Sequence, residues 1–165
     1  MSISAVALLF AAAITLHDLE EALFLPAWIH AHLKVRFNPN PKAYWIVTLL
    51  VSLLAWIVAL GVSLTPENRA FHLALSGFAL AMAINVFLPH AIASIVKRSY
   101  SPGAATGLLF NLPLGVMLIK AEWSTGIASP ASFWRETVAY AVLLSTVALG
   151  SLYLLHAVFK KPGAA

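Results

Sequence analysis

The sequence predicts an all-α polytopic membrane bundle of about five transmembrane helices, and three observations carry that prediction. Hydrophobic residues make up 61% of the 165 and charged residues only 10%, whereas a water-soluble domain carries about 25% charged residues. The apolar residues fall in long runs rather than in the interrupted pattern of a soluble core, and the mean hydropathy is +0.89. Clusters with turn chemistry separate the runs: Asn38-Pro39-Asn40-Pro41, Thr65-Pro66-Glu67-Asn68, Ser101-Pro102-Gly103 and Ser129-Pro130.

A bilayer core about 30 Å thick takes roughly 20 apolar helical residues. Runs of that kind place spans at about 2–25, 43–64, 71–96, 104–120 and 134–159. The first is rich in Ala, Leu and Ile; Met1 to Ala13 resembles the apolar part of a signal peptide but lacks its positive leading segment. The second starts behind Pro41 and stops at Thr65-Pro66, and the third runs from Phe71 through Pro89 to Val96. The fourth is the shortest, opening after Pro102-Gly103, and the fifth runs from Trp134 to Phe159. No fixed-period repeat is visible, and each helix needs the others to cover its polar atoms, so residues 1–165 read as one domain.

Loop charge orients the spans. Lys34, Arg36 and Lys42 lie in the first loop, Lys97 and Arg98 in the third, and Lys160 and Lys161 at the C-terminus. The second loop sets Arg69 against Glu67, and the fourth sets Lys120 and Arg135 against Glu122 and Glu136. The basic excess alternates, which predicts the N-terminus outside and the C-terminus in the cytoplasm. The same placement explains the net charge of +4 without a nucleic-acid partner. Cysteine is absent, which excludes thiolate metal sites and cysteine nucleophiles.

Ionisable residues inside the spans are the functional signal. A carboxylate at mid-membrane costs about 2.5 kcal/mol or more, so it calls for pairing, protonation, metal or water. The first span carries His17, Asp18, Glu20 and Glu21. His17, Glu20 and Glu21 stand at i, i+3 and i+4, on one helix face. An imidazole and two carboxylates converging there make a ligand set for iron, manganese or zinc. If instead the helix stopped near Leu16, these charges would sit among headgroups, but Met1 to Leu16 spans only about 24 Å. Glu21 is also the candidate general base.

Depth joins further residues to this cluster. At about 1.5 Å per residue, Glu21 lies about 6 Å from the predicted cytoplasmic end of its span, His90 about 9 Å, Asn111 about 10 Å and His156 about 5 Å. One shallow cytoplasmic layer therefore collects polar groups from four helices. His90 is the fourth candidate metal ligand, because neutral imidazole binds metal well. Asn85, Asn111, Tyr100, His30 and His156 are candidate supporting residues or substrate contacts; His30 and His156 read first as interfacial histidines, and Tyr100 first as part of a tight turn. His72, roughly 27 Å from His90 along the third span, is assigned to the opposite interface. Pro89 and Pro113 predict kinks that free the carbonyls of Asn85 and Leu109 beside this layer.

His17-Asp18-Leu19-Glu20-Glu21 near the end of a first span, followed by Asn85, His90, the Tyr100-x-Pro102-Gly103 turn and Thr106, resembles the HXXEE family of small bacterial membrane proteins. The resemblance covers most of the chain and implies a multi-pass protein of the inner (plasma) membrane; it implies no reaction. Three functions stay open. The first is a metal-dependent enzyme, with iron or zinc, acting on a lipid-like or apolar small molecule. The second is a proton- or cation-coupled transporter. The third is a non-catalytic assembly protein whose buried charges meet another subunit.

Overall fold

A computed structural model describes residues 1–33 and 40–159 of the chain. Among them there is no strand, and five helices are long and apolar enough to cross a membrane. These are α1 (Ile3–His32), α2 (Pro41–Leu64), α3 (Arg69–Lys97), α4 (Ala104–Thr125) and α5 (Pro130–Phe159). Lys34, Arg36, Asn38-Pro39, Lys160 and Lys161 lie outside the described residues.

Local chemistry sets the boundaries. Ser2 caps α1 by accepting from the Ala5 amide at 3.3 Å, and Asn40 caps α2 by accepting from the Lys42 amide at 2.9 Å ahead of Pro41. Asn68 does the same for α3. Left-handed residues close α3 and α4, Arg98 (φ 49°) after the first and Gly126 (φ 67°) after the second, whereas Leu33 and Thr65 end α1 and α2 at negative φ. α1 runs past the predicted Leu25 to His32, although Pro26 deletes one of its backbone donors. His30 and His32 therefore stand on the last helical turn rather than in a loop, and His32 Nδ1 reaches the Trp28 carbonyl at 3.0 Å. Imidazoles at a helix C-terminus satisfy carbonyls that have no partner within the helix.

The core lies where α1 meets α2, α3 and α4. Val6, Ala7, Phe10, Ala11 and Ile14 of α1 pack with Ala55, Ala59 and Val62 of α2, Leu75, Phe78 and Ala79 of α3, and Leu118 of α4. Small residues at these contacts let helices approach closely, which is how packing replaces the hydrophobic effect when lipid is the solvent. Gly77 shows the limit: a Cβ there would stand 2.4 Å from Tyr140 Cβ on α5. Large apolar side chains such as Leu49, Leu109 and Leu149 point outward.

The two prolines produce more than a bend. Val86–Ala91, around Pro89, and Gly107–Asn111, just before Pro113, are π-helical turns. The Ile92 amide donates to Phe87 O and the Leu112 amide to Gly107 O, five residues back in each case. A proline ring excludes the carbonyl four residues before it, and a π turn is one way a helix absorbs that exclusion. The two turns face each other: a Cβ on Gly107 would meet Val86 Cγ2 at 2.4 Å.

Candidate metal centre

α1 presents His17 and Glu21 one helical turn apart, and α3 brings His90 against them. His90 Nε2 lies 2.6 Å from Glu21 Oε1 and His17 Nε2 lies 3.2 Å from the same oxygen. The two imidazoles meet edge to face, with centroids 5.3 Å apart. His17 and His90 are buried and Glu21 is partly so. One ligand atom from each of the three residues falls within 4.8 Å of the others. Donors about 2.0–2.2 Å from a shared ion stand roughly 3.0–3.5 Å apart. The observed separations bracket that range, so two imidazoles and a carboxylate fit one transition-metal ion.

Asn85 completes the cluster. Its Nδ2 lies 3.1 Å from His17 Nε2, 3.3 Å from Glu21 Oε1 and 3.3 Å from His90 Nε2. The π turn makes this possible. Five residues on a regular α-helix separate two side chains by about 140°, which would aim Asn85 and His90 at different neighbours. With i to i+5 bonding the two come close to alignment.

The connection from α3 to α4, together with the first turn of α4, covers the outer side of both rings. His17 Nδ1 is 3.1 Å from Thr106 Oγ1, and His90 Nδ1 is 3.5 Å from Ser101 Oγ. Gly103 adopts φ 94°, and a Cβ there would stand 2.7 Å from His90 Cε1 and 3.0 Å from His17 Cε1. Glycine is required at this position on both counts.

Glu20, predicted among the ligands, lies outside the triad. Thr106 Oγ1 donates to its Oε2 at 2.6 Å and the Tyr100 hydroxyl donates to its Oε1. Helix spacing placed it on the right face, but these two hydroxyls occupy both oxygens. Burial of the phenol, and then the Glu20 carboxylate, push the Tyr100 hydroxyl above its ordinary pKa, which keeps it a donor. Asp18 turns toward α2, where Ser52 Oγ donates to its Oδ2 at 2.7 Å.

The other predicted contacts are placed elsewhere. Asn111 is buried on the second π turn with neither amide atom hydrogen-bonded. His156 Nδ1 accepts from the Asn40 amide at 3.2 Å, at the start of α2, and His30 is exposed at the end of α1. Equal depth brings groups to one layer; it does not bring them to one point.

Sequence reasoning missed a second polar centre. His72, assigned to the interface, is buried; its Nδ1 lies 2.6 Å from Glu122 Oε2 and its Nε2 lies 2.9 Å from Pro66 O. Glu122, read as a loop charge, is fully buried because α4 continues past Lys120 to Thr125. The partners are fifty residues apart in the chain, so only a tertiary contact reveals them. This pair stands at the start of α3 and the end of α4, opposite the His17 cluster.

Five helices of membrane-crossing length around a buried His/Glu cluster define a membrane-type helical bundle with a candidate metal centre. The chain belongs to the HXXEE family: the family described as a protein of unknown function with HXXEE motif matches residues 8–118, a stretch that contains His17, Glu21, Asn85, His90 and Thr106. It is similar to the uncharacterized protein YrkK of Bacillus subtilis (strain 168), at 30% identity over 152 residues, 92% of this chain and 94% of that protein. No solved structure matches the chain.

Proposed function

We propose that this is a multi-pass protein of the bacterial inner membrane whose His17, Glu21 and His90 hold a divalent transition metal, iron or zinc, in the cytoplasmic leaflet. The proposed activity is enzymatic, on a lipid-like or apolar small molecule. The convergence of three ligand atoms within 4.8 Å carries the reading. Two imidazoles with one carboxylate suit non-haem iron(II) and also catalytic zinc. Asn85 can turn its amide to present oxygen to the same point and serve as a further ligand. Bound metal would supply Lewis-acid or redox chemistry. The observed contacts to Glu21 converge on Oε1, which leaves Oε2 to take a proton from substrate. Lys42, Lys97 and Arg98 at this end of the bundle support the cytoplasmic assignment.

The test is elemental analysis of the detergent-purified wild type beside His17→Ala and Glu21→Gln. Stoichiometric iron or zinc in the wild type, lost in both variants at unchanged membrane abundance, is the expected result. A folded, metal-free protein from metal-replete cells overturns it. That outcome would favour proton- or cation-coupled transport, for which the buried His72–Glu122 pair puts ionisable groups near the opposite surface.

A further inference from the structure

We propose that Glu20 and Thr106 are positioning residues for His17, so that the two acids of the motif have different roles: Glu21 binds the metal and Glu20 aims the histidine. The proposal rests on the metal reading above and adds the device that prepares one ligand.

Proton counting makes the argument. A threonine hydroxyl has one hydrogen to give, and an ionised carboxylate can only accept. Thr106 Oγ1 lies 2.6 Å from Glu20 Oε2 and 3.1 Å from His17 Nδ1. Its hydrogen goes to Glu20, so its oxygen accepts from His17 Nδ1–H. The proton of a neutral His17 is thereby held on Nδ1. The lone pair is left on Nε2, the atom that faces Glu21 Oε1 and Asn85. Metal-binding histidines need this arrangement, with the far nitrogen donating outward and the near one free.

Glu20 is itself fixed. The Ala105 amide donates to the Tyr100 hydroxyl at 3.3 Å, and that hydroxyl donates to Glu20 Oε1. The turn that carries Gly103 against both rings thus also ends the chain from His17 through Thr106 to Glu20. Removing the Thr106 hydroxyl frees His17 to take either tautomer and leaves its ring orientation unset.

The experiment measures cobalt(II) and zinc(II) affinity by chelator competition on the full chain in detergent, together with the cobalt(II) absorption spectrum. Thr106→Val keeps the shape and loses the hydroxyl; Thr106→Ser keeps the hydroxyl. The expected result is about 10- to 100-fold weaker binding and an altered spectrum for Thr106→Val, with Thr106→Ser close to wild type. Glu20→Ala, at a partly exposed position, should weaken binding in the same direction and serves if Thr106→Val does not fold. Wild-type affinity and spectrum in a folded Thr106→Val or Glu20→Ala would overturn the positioning role while leaving the metal reading intact. A wild type that binds neither ion overturns both.

Discussion

His17 and His90 are held from behind by a single glycine as much as by their hydrogen bonds. Gly103 combines φ 94° with would-be Cβ contacts of 2.7 and 3.0 Å to the two rings. A left-handed non-glycine residue costs about 1–3 kcal/mol, and here the added methyl must also displace an imidazole. Gly103→Ala is therefore expected to lower the thermal unfolding midpoint and weaken cobalt(II) binding by about tenfold, the low end of the cost of disturbing a ligand's surroundings. Gly126 supplies the control, since it has φ 67° and no heavy atom within 4 Å of a would-be Cβ. Gly126→Ala should lower the midpoint and leave cobalt(II) binding unchanged. At this scale the sequence reading names His17, Glu21 and His90, which the structure brings together, and also Glu20, which turns to Tyr100 and Thr106 instead. The i, i+3, i+4 spacing identifies a shared face for His17, Glu20 and Glu21, but which acid turns inward depends on Tyr100 and Thr106, some 80 residues away.

At the scale of the helix, the π turn at Val86–Ala91 aligns Asn85 with His90. A π turn carries one residue more than an α turn, so its effect can be tested by changing that count. Deleting Leu88, which faces outward, converts the i, i+5 relation to i, i+4, a spacing a regular helix keeps on one face. The deletion should preserve cobalt(II) binding to within about tenfold. Inserting one alanine after Leu88 turns His90 a further ~100° from Asn85 and should abolish it. The opposite pair of outcomes would show that the turn does not set the alignment. The five helices themselves are legible from hydropathy, and their ends less so. α1 and α4 both outrun their predicted boundaries because polar side chains near an end mimic a loop: Trp28 and His32 in one case, Glu122 in the other. Pro89 and Pro113 signal local distortion, but nothing in composition distinguishes a kink from a π turn.

For the whole molecule, the two polar centres sit at opposite ends of one bundle, and the proposed orientation assigns them to opposite leaflets. The chain contains no cysteine, so single reporters need no background removal. Ala31→Cys, at the triad's end, should resist a membrane-impermeant maleimide in intact spheroplasts and react after permeabilisation. Ser129→Cys, beyond α4, should react in both; the reverse pattern would invert the orientation. The His72–Glu122 pair has a further property of its own. Pro66 O can only accept, so His72 Nε2 carries a hydrogen, and the contact between Nδ1 and Glu122 Oε2 requires one more. Whether that hydrogen rests on nitrogen or oxygen, the pair sums to zero charge. A transmembrane voltage does work only on charge that moves. In a bilayer this pair therefore offers the membrane potential no net charge to move, until a proton enters or leaves it and gives the field something to pull.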